Sequence, residues 1–108
     1  MGKSFLTFAT ATILNAVANG YSFGFDIVDI TGMPGGTVYP ALRRLEDAGH
    51  LASKWEAERV ANAEARPRRR YYEITATGKK ALAEAMERYR MLDQMQRAPL
   101  REPKPSRA

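Results

Sequence analysis

Residues 32–36, with the sequence Gly-Met-Pro-Gly-Gly, interrupt the chain between two helical patterns. Gly32 ends the first pattern, and neither the proline nor the paired glycines behind it can extend a helix. Before the break, Ser22 to Thr31 carries apolar side chains at helical spacing, and after it Thr37 to Ala48 does the same. The break therefore predicts two short helices joined by a tight turn.

The helix after the break has two unlike sides. Val38, Leu42 and Leu45 form an apolar stripe that predicts burial. The other side is polar and partly basic, with Thr37, Pro40, Arg43, Arg44 and Asp47. Pro40 is expected in the first turn, where its missing N–H costs little because those amides have no intrahelical partner. A further helix is predicted ahead of this pair, from Phe5 to Val17 with Ser4 as its N-cap.

After Gly49 the pattern changes from helical spacing to a loose alternation, which is typical of strands. Leu51 to Arg59 and Arg68 to Thr75 are predicted to form a hairpin, with Val60 to Arg66 as the loop between them. Neighbouring residues of a strand point to opposite faces, so Tyr71 and Tyr72 cannot together form a stacking platform for bases. Tyr72 shares its face with Ile74 and is expected on the side that joins the core.

A last amphipathic helix is predicted from Thr77 to Gln96, and the proline-rich, charged residues from Ala98 on predict a disordered tail. Three helices, a two-stranded hairpin and a protruding helix predict an α+β fold, the winged helix-turn-helix. The DNA-binding domain would cover residues 4–76, a dimerisation helix 77–97 and the basic tail 98–108. In that fold the third helix enters the DNA major groove and the hairpin, or wing, lies along the phosphates.

The charge distribution favours a polyanionic partner. The chain has 17 basic and 12 acidic residues, a net charge of +5, and six of the basic residues lie between Arg66 and Lys80 beside one glutamate. A basic focus of this kind is typical of nucleic-acid binding before membrane binding, although an isolated run of arginines is often only solvated.

Several classes of function are excluded or disfavoured by what the sequence lacks. With no cysteine and one histidine, it offers no pairing of nucleophile and base, no metal site and no cofactor motif. The glycines of residues 32–36 follow a helix and lack the lysine of a phosphate-binding loop. No apolar stretch is long enough for a membrane span, so a cytoplasmic protein is expected. The missing pairing of nucleophile and base predicts that it is not an enzyme.

Three strings are more specific than periodicity. They are Gly-Tyr-Ser-Phe-Gly-Phe-Asp-Ile at residues 20–27, Gly-Thr-Val-Tyr-Pro-Ala-Leu-Arg-Arg-Leu-Glu-Asp-Ala-Gly at 36–49, and Arg-Pro-Arg-Arg-Arg-Tyr-Tyr-Glu-Ile-Thr at 66–75. In this order and spacing they resemble the PadR family of bacterial transcription regulators. The resemblance implies a cytoplasmic homodimer that binds palindromic operator DNA, usually as a repressor, with the C-terminal helix as the dimer contact. Some members of that family respond to small aromatic or lipophilic effectors.

The chain departs from the family pattern in two places. Ala65 stands where the family usually has glycine before the Arg-Pro of the wing, so a different wing tip is expected. The region after the wing allows a single helix, which resembles the smaller subgroup of the family.

The third helix supplies four expected DNA contacts. Thr37 is placed to offer its hydroxyl or its amide to a phosphate, with helix capping as the alternative. The resemblance puts Tyr39 at the DNA surface, and packing on the wing is the alternative. Arg43 and Arg44 point outward, either to guanine O6 and N7 or to a carboxylate of their own helix.

The wing supplies four more expected DNA contacts: Arg66, Arg68, Arg69 and Arg70. Their side chains alternate between the two faces of a strand, so they cannot all face the phosphates. The first choices for phosphate contact are Arg66, at the loop end, and Arg69, on the strand face opposite to that of Tyr72. Trp55 is read as a hairpin anchor or as a surface on which an effector stacks.

The last helix is expected to hold the dimer together through Leu82, Met86, Tyr89 and Leu92. Trp55, Met86 and Tyr89 are the candidates for a small hydrophobic effector, because thioethers adapt to varied shapes, while a plain dimer seam is the alternative. The sequence thus predicts a sequence-specific double-stranded-DNA-binding regulator, a repressor relieved by such an effector. A winged-helix module that binds a protein instead of operator DNA is the alternative, but such a module would not need a wing rich in arginine.

Overall fold

The computed structural model describes residues 6–97. Its elements follow one another along the chain as α1 (Phe8–Ala18), α2 (Gly24–Thr31), α3 (Gly35–Asp47), β1 (Leu51–Trp55), α4 (Glu58–Ala63), β2 (Arg70–Ile74) and α5 (Ala76–Arg97). Three helices, a two-stranded antiparallel wing and a long C-terminal helix confirm the predicted fold class.

The first three helices enclose one core. Its fully buried side chains come from all three of them: Ile13, Leu14, Ile27, Val38, Leu42 and Leu45. Leu51 of β1 and Leu82 of α5 complete this core, and Tyr72 of β2 packs against it, as the alternation predicts. Because α3 turns its apolar stripe inward, its polar side faces solvent.

The first helix begins later than predicted. Thr7 is the N-cap in place of Ser4, and its Oγ1 accepts a hydrogen bond of 3.1 Å from the Thr10 amide. Ser4 and Phe5 lie outside the described residues, and Phe8 is the first helical residue. Serine and threonine cap helices by the same hydrogen bond, so capping preference alone did not separate the two positions.

The third helix begins earlier than predicted, at Gly35, and Pro34 is its N-cap. Pro40 therefore lies in the second turn, where it has no N–H to donate to the carbonyl of Gly36. Gly36 is exposed, so its carbonyl is accessible to water, which can supply the missing donor. The helix tolerates its proline for this reason and not because of a first-turn position.

The wing is shorter than predicted. Its strands pair from Leu51 opposite Ile74 to Trp55 opposite Arg70, so β1 ends before Arg59 and β2 begins after Arg68. The segment predicted as a loop contains most of the 6-residue helix α4. Within α4 only Ala61 is buried, and one buried residue leaves no periodicity to reveal a helix.

Ala65, at the wing tip, has φ of 52°, and among residues 6–97 it is the one non-glycine with positive φ. A left-handed conformation costs an L-residue about 1–2 kcal/mol, and part of this is offset by the flexibility that glycine adds to the unfolded chain. We expect Ala65→Gly to raise the free energy of unfolding by about 0.5–1 kcal/mol in urea titrations. Ala63→Gly, inside α4, should lower it. A loss of stability in Ala65→Gly would contradict this interpretation.

Helix α5 begins against the body of the domain and then leaves it. The Thr75 hydroxyl accepts a hydrogen bond of 3.0 Å from the Gly78 amide and donates one of 2.6 Å to the Gly49 carbonyl. Leu82 and Ala85 are buried, whereas farther along Met91, Leu92 and Met95 are exposed. The tail predicted for residues 98–108 lies outside the described part of the chain.

Candidate nucleic-acid interface

The outward side of α3 carries the residues that were expected to meet DNA: Thr37, Tyr39, Arg43 and Arg44, all exposed. Neither arginine makes a hydrogen bond or ion pair within residues 6–97, so the pairing with a carboxylate of their own helix is not formed there. A guanidinium without a partner presents all its donors to an incoming base edge or phosphate.

The N-terminus of α3 is open. Pro34 holds the capping position and no side chain caps the helix, so Thr37 is not the cap. The first amides of a helix carry partial positive charge and lack intrahelical partners. Thr37 lies in this exposed first turn, where its own amide donates to the Pro34 carbonyl at 2.9 Å, so its hydroxyl is the group that suits a phosphate.

Tyr39 lies across the first turns of both α2 and α3. A Cβ atom added to Gly24 would come within 2.3 Å of the Tyr39 ring and within 2.6 Å of its hydroxyl, and one added to Gly35 would come within 3.3 Å of the ring. Tyr39 is 44% exposed, so its ring packs on backbone while one side faces solvent. The two glycines determine where this phenol lies.

We expect Gly24→Ala to displace the Tyr39 ring while the fold persists, because the atoms that it meets are the far end of a side chain. DNA affinity should fall about as far as in Tyr39→Ala, and the double variant should be no weaker than either single one. Anisotropy titrations with labelled duplex would measure this. Additive losses in the double variant would mean that Gly24 acts independently of Tyr39.

Arg66, a first choice for phosphate contact, is held inside the wing instead. Its guanidinium donates to both carboxylate oxygens of Glu56, at 2.6 and 2.9 Å, and to Glu64 at 2.7 Å. Glu56 also accepts a hydrogen bond of 3.0 Å from the Tyr71 hydroxyl. The carboxylate is buried and bidentate pairing is geometrically demanding, so this arginine supports the wing tip rather than extending from it.

Hydrogen bonds from Arg66, together with those from Tyr71 and the Arg69 amide, lower the pKa of Glu56 from 4.5 to about 2. Because the folded pKa is depressed, the stabilisation is complete above pH 4.5 and is lost as the pH falls toward 2. Urea unfolding of Glu56→Gln should therefore depend less on pH than that of the wild type in this window. Glu87→Gln, which removes an exposed pair on α5, should change the pH profile less. Parallel profiles for wild type and Glu56→Gln would contradict the assignment.

Arg70 connects the wing to α3. Its Nε donates to the Ser53 hydroxyl at 2.9 Å, and its terminal nitrogen donates to Glu46 at 2.9 Å. Ser53 in turn donates to the other oxygen of Glu46 at 2.5 Å. One carboxylate at the end of α3 thus holds both wing strands, and Arg70 is engaged in setting the angle between helix and wing.

Arg68 and Arg69 keep donors available. The guanidinium carbon of Arg69 lies over the Phe23 ring, 4.1 Å from its centre, and the side chain makes no hydrogen bond or ion pair within residues 6–97. Arg68 donates its Nε to the Glu56 carbonyl at 2.8 Å and lies 5.8 Å from the centre of the Trp55 ring. Arg68 is therefore oriented by the wing and Arg69 by Phe23 at the start of α2, and neither pairs with a carboxylate within residues 6–97.

These side chains meet in a groove of about 650 Å³ between the outward side of α3 and the wing, here called the wing groove. Tyr39 and Arg43 line it from α3, Trp55, Arg68 and Arg69 line it from the wing, and Phe25 lines it from α2. Glu46 and Asp47 also line it, so two carboxylates accompany the cations and the aromatic rings. The cations of the wing side suit the phosphates of a duplex, and the α3 side suits its base edges.

The four residues expected at the dimer contact are divided between two environments. Leu82 is buried in the core, and Tyr89 packs edge-to-face on Phe8 and donates its hydroxyl to the Leu6 carbonyl at 2.9 Å. Met86 and Leu92 are 54% and 50% exposed. Trp55 lies in the wing groove, whereas Met86 and Tyr89 lie on α5 and do not line that groove.

The groove along α5, here called the α5 groove, is lined by Ala83, Glu84, Glu87, Arg88, Met91, Leu92 and Met95. It shares only Leu92 with the predicted dimer set. The apolar stripe predicted on the last helix included residues from two sides of α5. One side packs on α1 and the other remains open, and both carry apolar residues.

Sequence reasoning did not identify Glu46 and Glu56 as the partners that engage two wing arginines, and it gave Phe25 no role. Glu56 stands in a predicted strand with nothing local to mark it as buried. Within residues 6–97 no cluster of acidic and histidine side chains could hold a metal ion. No helix there is both long and apolar enough to cross a membrane.

The chain is similar to a known family of transcription regulators in sequence and to several of its members in fold. The family model described as Transcriptional regulator PadR-like family matches residues 13–84. A PadR family transcription regulator from hypervirulent Clostridium difficile has a TM-score of 0.72 at 22% identity, covering 83% of this chain and 95% of that one. A PadR-like transcription factor from Bacteroides fragilis gives 0.66 at 23%, covering 81% and 84%.

A third solved structure is that of BpsR from Bordetella bronchiseptica, described as a mechanism for regulation of DNA binding by 6-hydroxynicotinic acid. It has a TM-score of 0.72 at 22% identity, covering 94% of this chain and 72% of that one. No curated protein matches the chain. At these identities the structural likeness concerns the fold.

Proposed function

Because this chain belongs to the PadR-like family of transcriptional regulators, which bind DNA and are not enzymes, we propose that it is a repressor that binds a palindromic operator as a homodimer. The observation that carries the proposal is the wing groove, which Arg43 lines together with Arg68 and Arg69, and Arg43 makes no hydrogen bond or ion pair within residues 6–97. Phosphate contacts from the wing and the start of α3 would supply affinity, and base contacts from α3 would select the site.

A homodimer is supported by the α5 groove, where Met91, Leu92 and Met95 are at least half exposed. A second copy of α5 would bury these side chains and add stability to a small domain. The two α3 helices would then enter successive major grooves about 34–36 Å apart, one helical turn of DNA, and so read the two halves of a palindrome.

The test is fluorescence anisotropy with a labelled duplex from immediately upstream of the protein's own gene, against a scrambled duplex, at several salt concentrations. Nanomolar binding to the native duplex and binding about a thousandfold weaker to the scramble are expected of an operator-specific regulator. Equal and steeply salt-dependent binding to both would contradict specificity at this site, and no binding to either would favour a module that binds a protein.

We expect Arg69→Ala to weaken binding to every duplex and to lower the slope of log affinity against log salt by about one unit, because one phosphate contact is lost. Arg43→Ala should instead reduce the preference for the operator over the scramble, with a loss of about 1–3 kcal/mol on the operator alone. Arg90→Ala, which removes a cation from α5, is the matched control and should change neither. An unchanged slope in Arg69→Ala would contradict the role of the wing.

We also propose that a small hydrophobic or aromatic effector relieves repression by binding along α5 near Met86 and Tyr89. Methionine side chains adapt to varied ligands, which supports this placement. Trp55, in the wing groove, would then report on the DNA-binding surface instead of contacting the same effector. Isothermal titration with planar aromatic probes, including 6-hydroxynicotinic acid, tests this, and no heat with any of them would count against it.

A further inference from the structure

Phe25 is the most exposed large apolar side chain of residues 6–97, at 76%. Phe23, on the same segment, is packed edge-to-face on Tyr71, with ring centres 5.7 Å apart, and is covered by Arg69. Phe25 makes no ring contact or cation–π contact within the described residues. The folding of the subunit therefore does not explain a phenyl ring at this position.

The surroundings of Phe25 separate it from an ordinary exposed apolar residue. It lines the wing groove together with Tyr39 and Arg43. The Tyr39 ring packs on Gly24, the residue immediately before Phe25, so the first turns of α2 and α3 are in contact there. Phe25 is thus the highly exposed apolar residue on the α2 side of a groove that also contains Trp55 and Phe23, and it lies beside the phenol and the cation of α3.

We propose that Phe25 is a specificity-determining residue that contacts the 5-methyl group of a thymine beside the base that Arg43 meets. This inference rests on the proposed function of operator binding. The thymine methyl is the apolar group that base pairs present in the major groove, and a phenyl ring cannot hydrogen-bond to any of the others. The deoxyribose carbons are also apolar, but they are the same at every nucleotide, so a contact with them would not distinguish thymine from deoxyuridine.

The magnitude follows from the size of the group. One methylene-sized group taken out of water is worth about 0.8 kcal/mol, which corresponds to about a fourfold change in affinity. Replacing that thymine by deoxyuridine, which lacks only the methyl group, should therefore weaken binding about fourfold for each half-site changed. Deoxyuridine at other positions should have little effect.

The experiment begins with duplexes selected by the wild-type protein from a random library, so that no operator need be known. Each thymine of the selected site is then replaced by deoxyuridine and binding is measured by anisotropy. Wild type should show one sensitive position per half-site. Phe25→Ala should bind the thymine duplex about fourfold more weakly per half-site and be indifferent to deoxyuridine there.

Two variants serve as controls. Ile30→Ala removes another exposed apolar side chain of α2 that does not line the wing groove, and it should keep the wild-type pattern. Arg43→Ala should bind more weakly yet keep the sensitivity to the methyl group. Both controls separate a direct contact from a general loss of α2 or of binding strength.

The outcomes are distinct. If no position responds to deoxyuridine, or if Phe25→Ala keeps the response, the thymine contact is wrong. If Phe25→Ala loses affinity equally for the thymine and deoxyuridine duplexes, while wild type still responds, the ring contacts something other than the methyl group and the inference fails. If selection yields no enriched sequence, it is the proposed operator binding that fails, before Phe25 is tested.

Discussion

Gly78→Ala is expected to lower the free energy of unfolding by about 3 kcal/mol, although alanine is the better helix former. Gly78 lies in the first turn of α5, where a Cβ atom would come within 2.1 Å of the His50 carbonyl oxygen and 2.9 Å of Ile74 Cγ1. The carbonyl belongs to backbone that also accepts the Thr75 amide at 3.1 Å, so it cannot move without losing that bond. Helix α5 would have to shift away from the core.

Urea unfolding measures this effect, with Gly36→Ala as the matched control. Gly36 is also a helical glycine, in α3, and an added Cβ would meet nothing within 4 Å. Its replacement should leave stability unchanged or raise it by about 0.5–1 kcal/mol, because alanine restricts the unfolded chain. If Gly78→Ala were as stable as Gly36→Ala, the close approach of α5 to His50 would be wrong.

Leu92→Glu is expected to convert the proposed dimer into a monomer and to weaken binding to a full palindrome at least a hundredfold. Leu92 is 50% exposed in the α5 groove beside Met91 and Met95, and a carboxylate there would be desolvated if a second copy covered it. Two linked half-site contacts exceed either one by about 10²–10⁴ in affinity, and the monomer loses this gain.

Light scattering and anisotropy on full-site and half-site duplexes measure these quantities together. Half-site affinity should remain close to that of the wild type, because Leu92 lies outside the wing groove. Gln94→Glu adds the same charge to an exposed residue of α5 that does not line the α5 groove, and it should remain dimeric. A dimeric Leu92→Glu with unchanged full-site affinity would exclude this face as the interface.

The wing arginines differ in their roles because of the carboxylates around them. Glu56 engages Arg66 and Glu46 engages Arg70, so these two cations contribute to the shape of the interface. Arg68 and Arg69 have no carboxylate partner within residues 6–97 and retain donors for phosphate. Of four basic residues close together in sequence, two therefore stabilise the wing and two are free to bind.

The sequence by itself determined the order of the elements other than α4, the fold class and the family. Turn residues at 32–36, apolar spacing in the helices and alternation in the wing are local signals, because each depends on neighbours within a turn or a strand. The string at residues 66–75 was recognisable for the same reason, and the structure gives its last residue a role, since the Thr75 hydroxyl accepts a hydrogen bond from the Gly78 amide at the start of α5.

Only the tertiary structure decided which charged side chains are free. Glu46 and Arg70 are 24 positions apart in sequence, and Glu56 and Arg66 are 10 apart, and no local pattern relates such pairs. Burial of Glu56 beside Tyr71 and packing of Tyr39 on Gly24 likewise depend on segments that meet only after folding. Local periodicity specifies which side of an element is apolar, but the partner of a polar group is set by the packing of distant elements.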